Sequence, residues 1–383
     1  MKLFQCQNCG HPLYFENTRC ESCGLSLGYL PRRATVTALK PEEAASSPEQ
    51  KVWRALADSE LYRYCANAAY DVCNWLIPAA QPDTYCAACR HNRVIPDLSL
   101  PQNLVRWRAL EAAKHRLFYT LFQLRLPVET QSENSRGLAF QFLADATPSD
   151  WPVMTGHADG VITINLAEAD DAERERRRHQ MAEPYRTLLG HFRHESGHYY
   201  WDRLIADSAH LEQFRRIFGD ERRDYAGALQ DYYAQGPRPD WSESFISAYA
   251  SSHPWEDFAE TWAHYFHMVD TLETAHVAGL AVSPKLPRSP GAVFDFHPRG
   301  TDMKRLVDAW LALTFAVNSL NRSMGVPDLY PFVLGSLAVE KLTFVQQRIQ
   351  AMSPHQPDAQ GSRDPSSKRG RRSRGAFGVI VRA

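Results

Sequence analysis

Leu188-Leu189-Gly190-His191-Phe192-Arg193-His194-Glu195-Ser196-Gly197-His198-Tyr199-Tyr200-Trp201-Asp202-Arg203-Leu204 is the stretch on which the reading of this chain turns. Leu188, Leu189, Phe192 and Tyr199 recur at helical spacing, and no proline falls between Tyr185 and Gly236, so a helix is expected here. Residues four apart on a helix lie one turn above each other. His194 and His198 therefore point the same way and can grip one metal ion. Glu195, beside the first of them, is placed to take a proton from a water at that ion. This H-E-x-x-H spacing is the signature of zinc hydrolases.

A catalytic zinc takes a third protein ligand and keeps a position open for water. The metzincin continuation would place Gly at 201 and His at 204, but Trp201 and Leu204 stand there, which excludes that class. A carboxylate from a second helix is the alternative, and Ser251-Ser252-His253-Pro254-Trp255-Glu256-Asp257-Phe258-Ala259-Glu260-Thr261-Trp262-Ala263-His264-Tyr265-Phe266 supplies it. Ser251 or Ser252 can cap this helix, and Pro254 suits its first turn. Phe258, Trp262, Tyr265, Phe266 and Val269 form an apolar stripe, leaving Glu256, Glu260 and His264 on another face. Glu256 is the leading ligand candidate, with Asp257, Glu260 and Asp202 as competitors. Glu260, one turn on, is placed to accept a hydrogen bond from a ligand histidine. His191, His264 and His267 read as hydrogen-bonded structural histidines.

The pairing of His194–His198 with Tyr249…Glu256…Glu260 resembles the bacterial zinc-binding metallopeptidases that carry an N-terminal zinc ribbon. More distantly, it is similar to the lethal-factor-like gluzincins, in which a Glu-x-x-x-Glu helix supplies the ligand first and its supporting acid four residues later. The resemblance covers most of the chain, to about Met352. It implies zinc ligands His194, His198 and Glu256, the base Glu195, the supporting acid Glu260, and Tyr249 as hydroxyl donor to a developing oxyanion.

All eight cysteines lie within the first ninety residues. Cys6-Gln-Asn-Cys9-Gly10 and Cys20-Glu-Ser-Cys23-Gly24 are two Cys-x-x-Cys-Gly knuckles, the pattern of a zinc ribbon closed by four thiolates. Cys65, Cys73, Cys86 and Cys89 make a second four-cysteine set, with His91 as an alternative to Cys65. Four protein ligands leave no place for water, so both sites read as structural zinc. They hold together modules too small to fold on apolar burial alone.

The chain of 383 residues has a formal net charge of -1, which excludes a global drive toward nucleic acid or membrane surfaces. No signal peptide and no apolar run of membrane-spanning length is visible, and thiolates intended for zinc suit a reducing compartment; cytoplasm is expected. The expected fold is α+β and mostly helical, a zincin-like metallopeptidase domain preceded by small four-cysteine modules. The expected boundaries are 1–31 (zinc ribbon), 32–58 (linker), 59–98 (second four-cysteine module), 99–353 (metallopeptidase) and 354–383 (disordered basic tail). Helices are expected near 102–124, 173–181, 303–321 and 333–352, and strands near 138–143 and 160–166. Val161 to Leu166 is the candidate edge strand for pairing with an extended peptide. The leading function is a zinc peptidase acting on peptide or protein. The alternative is a zinc-ribbon module that binds a protein, or nucleic acid through the basic tail, beside a gated or vestigial zincin domain.

Overall fold

The computed structural model describes residues 1–45, 51–145, 153–180, 186–286 and 291–352. The basic tail at 354–383 and residues 46–50 within the expected linker lie outside the described residues. Among the described residues no helix is long and apolar enough to cross a membrane.

The N-terminal third is built from short strands around the cysteines. The first knuckle sits at the tip of a hairpin of β1 (Phe4–Gln5) and β2 (Pro12–Leu13), and the second follows it. An antiparallel sheet follows in sequence order: β3 (Ser26–Leu30), β4 (Thr35–Pro41), β5 (Trp53–Ala55), β6 (Leu61–Tyr64) and β7 (Leu76–Pro78). A bridge between Tyr29 and Trp75 brings its first and last strands together, so the sheet curls around Leu30, Leu39, Ala55, Tyr62 and Leu76. This corrects the expected 32–58 linker. Thr35-Val-Thr-Ala-Leu39 is a β-branched run buried against its neighbours, and only the charged segment after Pro41 has the composition of a connection. The expected breaks at 31 and 58 therefore fall inside one sheet that both cysteine sets share.

β8 (Asn92–Val94) leads into α1 (Pro101–Gln123), whose first residue is the proline that suits a helix start. A second sheet contains β9 (Ala139–Leu143), β10 (Gly156–Ala158) and β11 (Val161–Asn165), in the order β10-β11-β9-β8. β8, β9 and β11 are parallel, and β10 runs antiparallel at the edge. The expected edge strand at 161–166 is thus interior. The edge beside it is β10, whose Gly-His-Ala sequence carries no apolar alternation to announce it.

The remainder is helical: α2 (Asp171–Gln180), α3 (Leu188–Trp201), α4 (Leu211–Phe218), α5 (Tyr225–Gln235), α6 (Trp241–Ser244) and α7 (Pro254–Val277). After a two-stranded ribbon, β12 (Ala281–Val282) with β13 (Ala292–Val293), come α8 (Met303–Ser323) and α9 (Ser336–Met352). The architecture is α+β with helices predominant, as expected. Thr187 caps α3, its hydroxyl accepting from the Gly190 N–H at 3.0 Å. On α7 the cap is His253, whose Nδ1 accepts from the Trp255 N–H at 3.1 Å, and not the expected Ser251 or Ser252. Those two hydroxyls donate backward to the carbonyls of Ala248 and Tyr249 within a preceding tight turn.

α3 and α7 cross in close contact. A methyl group built on Gly197 would lie 2.8 Å from the Ala259 Cα, so only glycine permits this approach. Tyr200 stacks on Trp262 at 4.9 Å, and the Trp262 indole N–H donates to the Ser196 hydroxyl at 3.1 Å. On the flank of the crossing, buried Arg193 of α3 pairs with Asp270 of α7. Phe192 packs α3 against Phe140 and Phe142 of β9.

Two outcomes follow for stability. Gly197→Ala should cost about 1–3 kcal/mol through overpacking of the crossing, read as a lower urea midpoint at unchanged slope; a midpoint equal to wild type contradicts this packing. Buried Glu168 receives Arg186 at 2.7 Å and Arg177 at 3.0 Å and faces His191 on α3. Burial alone would raise its carboxyl, but His191 and the arginines outweigh that and hold it below the ordinary glutamate range. Its contribution is therefore present above the ordinary glutamate pKa and is lost as pH falls through the depressed one. Glu168→Gln should cost about 2–3 kcal/mol at neutral pH, and the wild-type and variant stability curves should converge in acid.

Candidate metal centre

His194 and His198 occupy the α3 face turned toward the first turns of α7, and Glu256 faces them from there. Their Nε2 atoms stand 3.2 Å apart. Glu256 Oε2 lies 3.0 Å from His194 Nε2, and Oε1 lies 3.5 Å from His198 Nε2. Ligand atoms 2.0–2.1 Å from a tetrahedral ion are separated by about 3.3 Å, so the His194–His198 and His194–Glu256 Oε2 spacings match edges of a zinc tetrahedron, and one donor atom from each of the three residues lies within 4.8 Å of the others. The donors also suit the metal, two imidazoles and a carboxylate. Glu256 is nearly inaccessible to solvent, and its Oε2 is turned to His194 Nε2 at 3.0 Å. A buried carboxylate oxygen of that kind calls for a cation.

The supporting groups fall into place around them. Glu260 Oε1 lies 2.7 Å from His194 Nδ1, while Oε2 accepts from the Ser247 hydroxyl at 2.6 Å. That pair fixes the His194 ring with Nε2 directed inward. Burial opposes charge on His194, yet the Glu256 and Glu260 carboxylates outweigh it and hold the imidazole well above the usual histidine range. Trp255 covers His198 with ring centroids 3.8 Å apart. Glu195 is buried; burial raises its carboxyl, and the two histidines offset only part of that. Its Oε2 has no hydrogen-bond donor among the described residues. The Tyr249 ring stands 5.9 Å from the His194 ring.

The competitors for the third ligand position are engaged elsewhere or lie outside the cluster. Asp257 pairs with buried Lys341 at 2.6 Å, Glu260 supports His194, and Asp202 sits in a π-helical turn after α3. His191 faces Glu168, His264 meets the Tyr330 hydroxyl at 2.7 Å and His267 meets Arg193 at 2.5 Å, all as structural histidines.

The cysteines gather as two clusters of free thiols. Cys6 and Cys23 sulfurs are 3.7 Å apart, Cys9 and Cys20 3.6 Å, and Cys73 and Cys86 3.7 Å. Four sulfurs at 2.3 Å from a zinc ion stand about 3.8 Å apart, so the spacing is that of zinc tetrahedra. Gly10 and Gly24 each take φ of +75°, the left-handed turn that closes a knuckle. In the second cluster the Trp75 and Cys86 N–H groups donate to the sulfurs of Cys73 and Cys65, each at 3.3 Å. His91, the expected substitute for Cys65, is turned away, its Nδ1 2.7 Å from the Leu138 carbonyl.

Sequence reasoning missed three contributors. His115 of α1 places Nε2 3.4 Å from the Cys73 sulfur and 3.6 Å from that of Cys89, beside the fully buried Glu111–Lys114 pair. Trp255 adjoins Glu256 and was readable only as a helix residue. Tyr225 of α5 donates its hydroxyl to Glu256 Oε1 at 2.6 Å from thirty-one residues away, and no local pattern marks it.

Comparison with known proteins agrees with this geometry. Residues 103–348 match the profile of the family described as "Putative zinc-binding metallo-peptidase", and residues 3–100 match that of a zinc-ribbon domain. Uncharacterized proteins of Mycobacterium tuberculosis and Mycobacterium bovis are each 42% identical over 357 residues, covering 92% of this chain and 97% of the relative. No solved structure matches. With its matched region spanning α1 to α9 and the ribbon profile spanning both cysteine clusters, the chain belongs to this zinc-binding metallopeptidase family and carries the zinc-ribbon domain at its N-terminus.

Proposed function

We propose that this protein is a zinc-dependent peptidase of gluzincin type, with His194, His198 and Glu256 as ligands of the catalytic ion. The observation that carries the reading is the convergence of one donor atom from each of them within 4.8 Å, with His194 Nε2 3.2 Å from His198 Nε2 and 3.0 Å from Glu256 Oε2. Zinc, when bound, supplies the Lewis acidity that polarises a carbonyl and eases deprotonation of water. Glu195 is the general base: it takes the proton from the attacking water as the oxygen–carbon bond forms. It then delivers that proton to the amide nitrogen as the carbon–nitrogen bond breaks. Burial of Glu195 raises its proton affinity, which suits a group that must both accept and return a proton. Tyr249 is the donor to the oxyanion. No hydrogen bond of its hydroxyl engages it within the site among the described residues.

The substrate class is a peptide or protein segment in extended form. β10 is one edge of the sheet, and its His157 packs 6.1 Å from the Tyr199 ring and 6.5 Å from the Trp255 ring, beside the centre. Main-chain groups of such an edge can pair with a substrate strand. The two four-cysteine clusters hold structural zinc and offer a surface for a protein partner. Free thiols at zinc spacing support a reducing compartment, with the cytoplasm as the proposed location.

The purified full chain should contain three zinc ions, of which one is removed readily by a chelator together with hydrolysis of a diverse peptide library. Two tightly held ions and no third would instead favour a binding module with an inactive zincin domain. Glu195→Gln should retain all three ions while cleavage falls by roughly 10²–10⁴-fold; a fully metallated Glu195→Gln enzyme that cleaves like wild type overturns the mechanism.

A further inference from the structure

Glu256 has two carboxylate oxygens with different surroundings. Oε2 lies 3.0 Å from His194 Nε2, whereas Oε1 accepts the Tyr225 hydroxyl at 2.6 Å. Tyr225 is itself held edge-on against His253, the cap of α7, at 5.2 Å, and against Trp255 at 5.6 Å. Trp255 in turn covers the His198 ring. One side chain therefore touches the carboxylate and the aromatic wall behind the second imidazole.

The helix that delivers it is attached lightly. No side chain of α5 is fully buried, and glycines with left-handed φ, Gly219 at +105° and Gly236 at +80°, stand on either side of it. A cavity of about 250 Å³ lies between α5 and the start of α7, lined by Arg223, Asp231, Tyr232, Gln235, Ser252 and His253 among others. The same helix sets Tyr232 against Tyr249 at 5.7 Å. α5 thus meets the centre through two tyrosines more than through apolar packing.

We propose that Tyr225 is a positioning residue of the metal centre. Its hydroxyl anchors Oε1 of Glu256, fixes the rotation of that carboxylate, and leaves Oε2 to the ion. A ligand carboxylate without such an anchor rotates and holds its metal less well. The division of labour with Tyr249 is then explicit: one tyrosine hydroxyl serves the ligand, the other is left for the substrate. This inference rests on the proposed zinc reading of His194, His198 and Glu256.

The test compares full-length wild type, Tyr225→Phe and Tyr249→Phe, using zinc alone as the ligand. Tyr225 is 38% exposed, and Phe preserves its ring contacts, so the fold is retained; retention of the two four-cysteine ions and an unchanged Tm of the chain stripped of its labile ion verify this. Chelator competition should show the labile zinc of Tyr225→Phe held roughly tenfold more weakly. The absorption bands of cobalt(II) exchanged into that position should shift, because its ligand geometry changes. Tyr249→Phe should hold zinc like wild type while its kcat falls. Wild-type zinc affinity and an unshifted cobalt spectrum in Tyr225→Phe overturn the inference and leave the zinc reading standing. A wild-type chain with no labile third ion overturns the zinc reading and this inference together.

Discussion

The whole centre depends on how closely α3 and α7 can approach. At Gly197 the separation leaves no room for a methyl group against the Ala259 backbone. That contact lies within the His-Glu-Ser-Gly-His run itself, so the glycine between the two histidines is the residue that lets the opposing helix bring Glu256 to them. The crossing is secured by Tyr200 on Trp262, the Trp262–Ser196 hydrogen bond, and the Arg193–Asp270 pair. A wider spacing would move the carboxylate out of reach of the imidazoles. Ligand geometry is thus a consequence of helix packing, with local side-chain choice secondary.

The electrostatics of the site follow from that proximity. Glu195, Glu256 and Glu260 are brought together around two histidines in a poorly solvated space. Carboxylates taken out of water are costly unless paired or bound to metal. Glu260 is satisfied by His194 and Ser247, while Glu256 is satisfied on Oε1 by Tyr225. Glu195 Oε2 has no donor among the described residues and Glu256 Oε2 is turned to His194 Nε2 at 3.0 Å, and they are the two oxygens that the proposed chemistry uses. A comparable arrangement surrounds the second thiol cluster, where His115 and the Glu111–Lys114 pair of α1 meet its sulfurs. Since α1 also packs in the peptidase core, the ribbon is continuous with the domain that follows it.

Much of this was legible in the chain because it is encoded in local spacing. The four-residue repeat of the histidines, the Cys-x-x-Cys-Gly knuckles and the apolar stripe of α7 are all short-range patterns, and each leads to the group found in the structure. Features that depend on partners far along the chain were not legible. The strand at 35–41 was masked by the charged residues just beyond it. The edge position of β10 is fixed only by its pairing with β11. The α7 cap fell to His253 because Ser251 and Ser252 turned their hydroxyls to the preceding turn. Tyr225 reaches Glu256 across space, from a helix whose own sequence shows no amphipathic face aimed at the site.

Helices α3 and α7 are proposed to assemble a zinc site from His194, His198 and Glu256. Anomalous diffraction from crystals of the full chain, recorded on both sides of the zinc absorption edge, tests it most directly. Three zinc peaks are expected, two within the cysteine clusters and one bounded by His194 Nε2, His198 Nε2 and a Glu256 oxygen. A third peak bound by Asp202 in place of Glu256, or no zinc between the histidines at all, would contradict it.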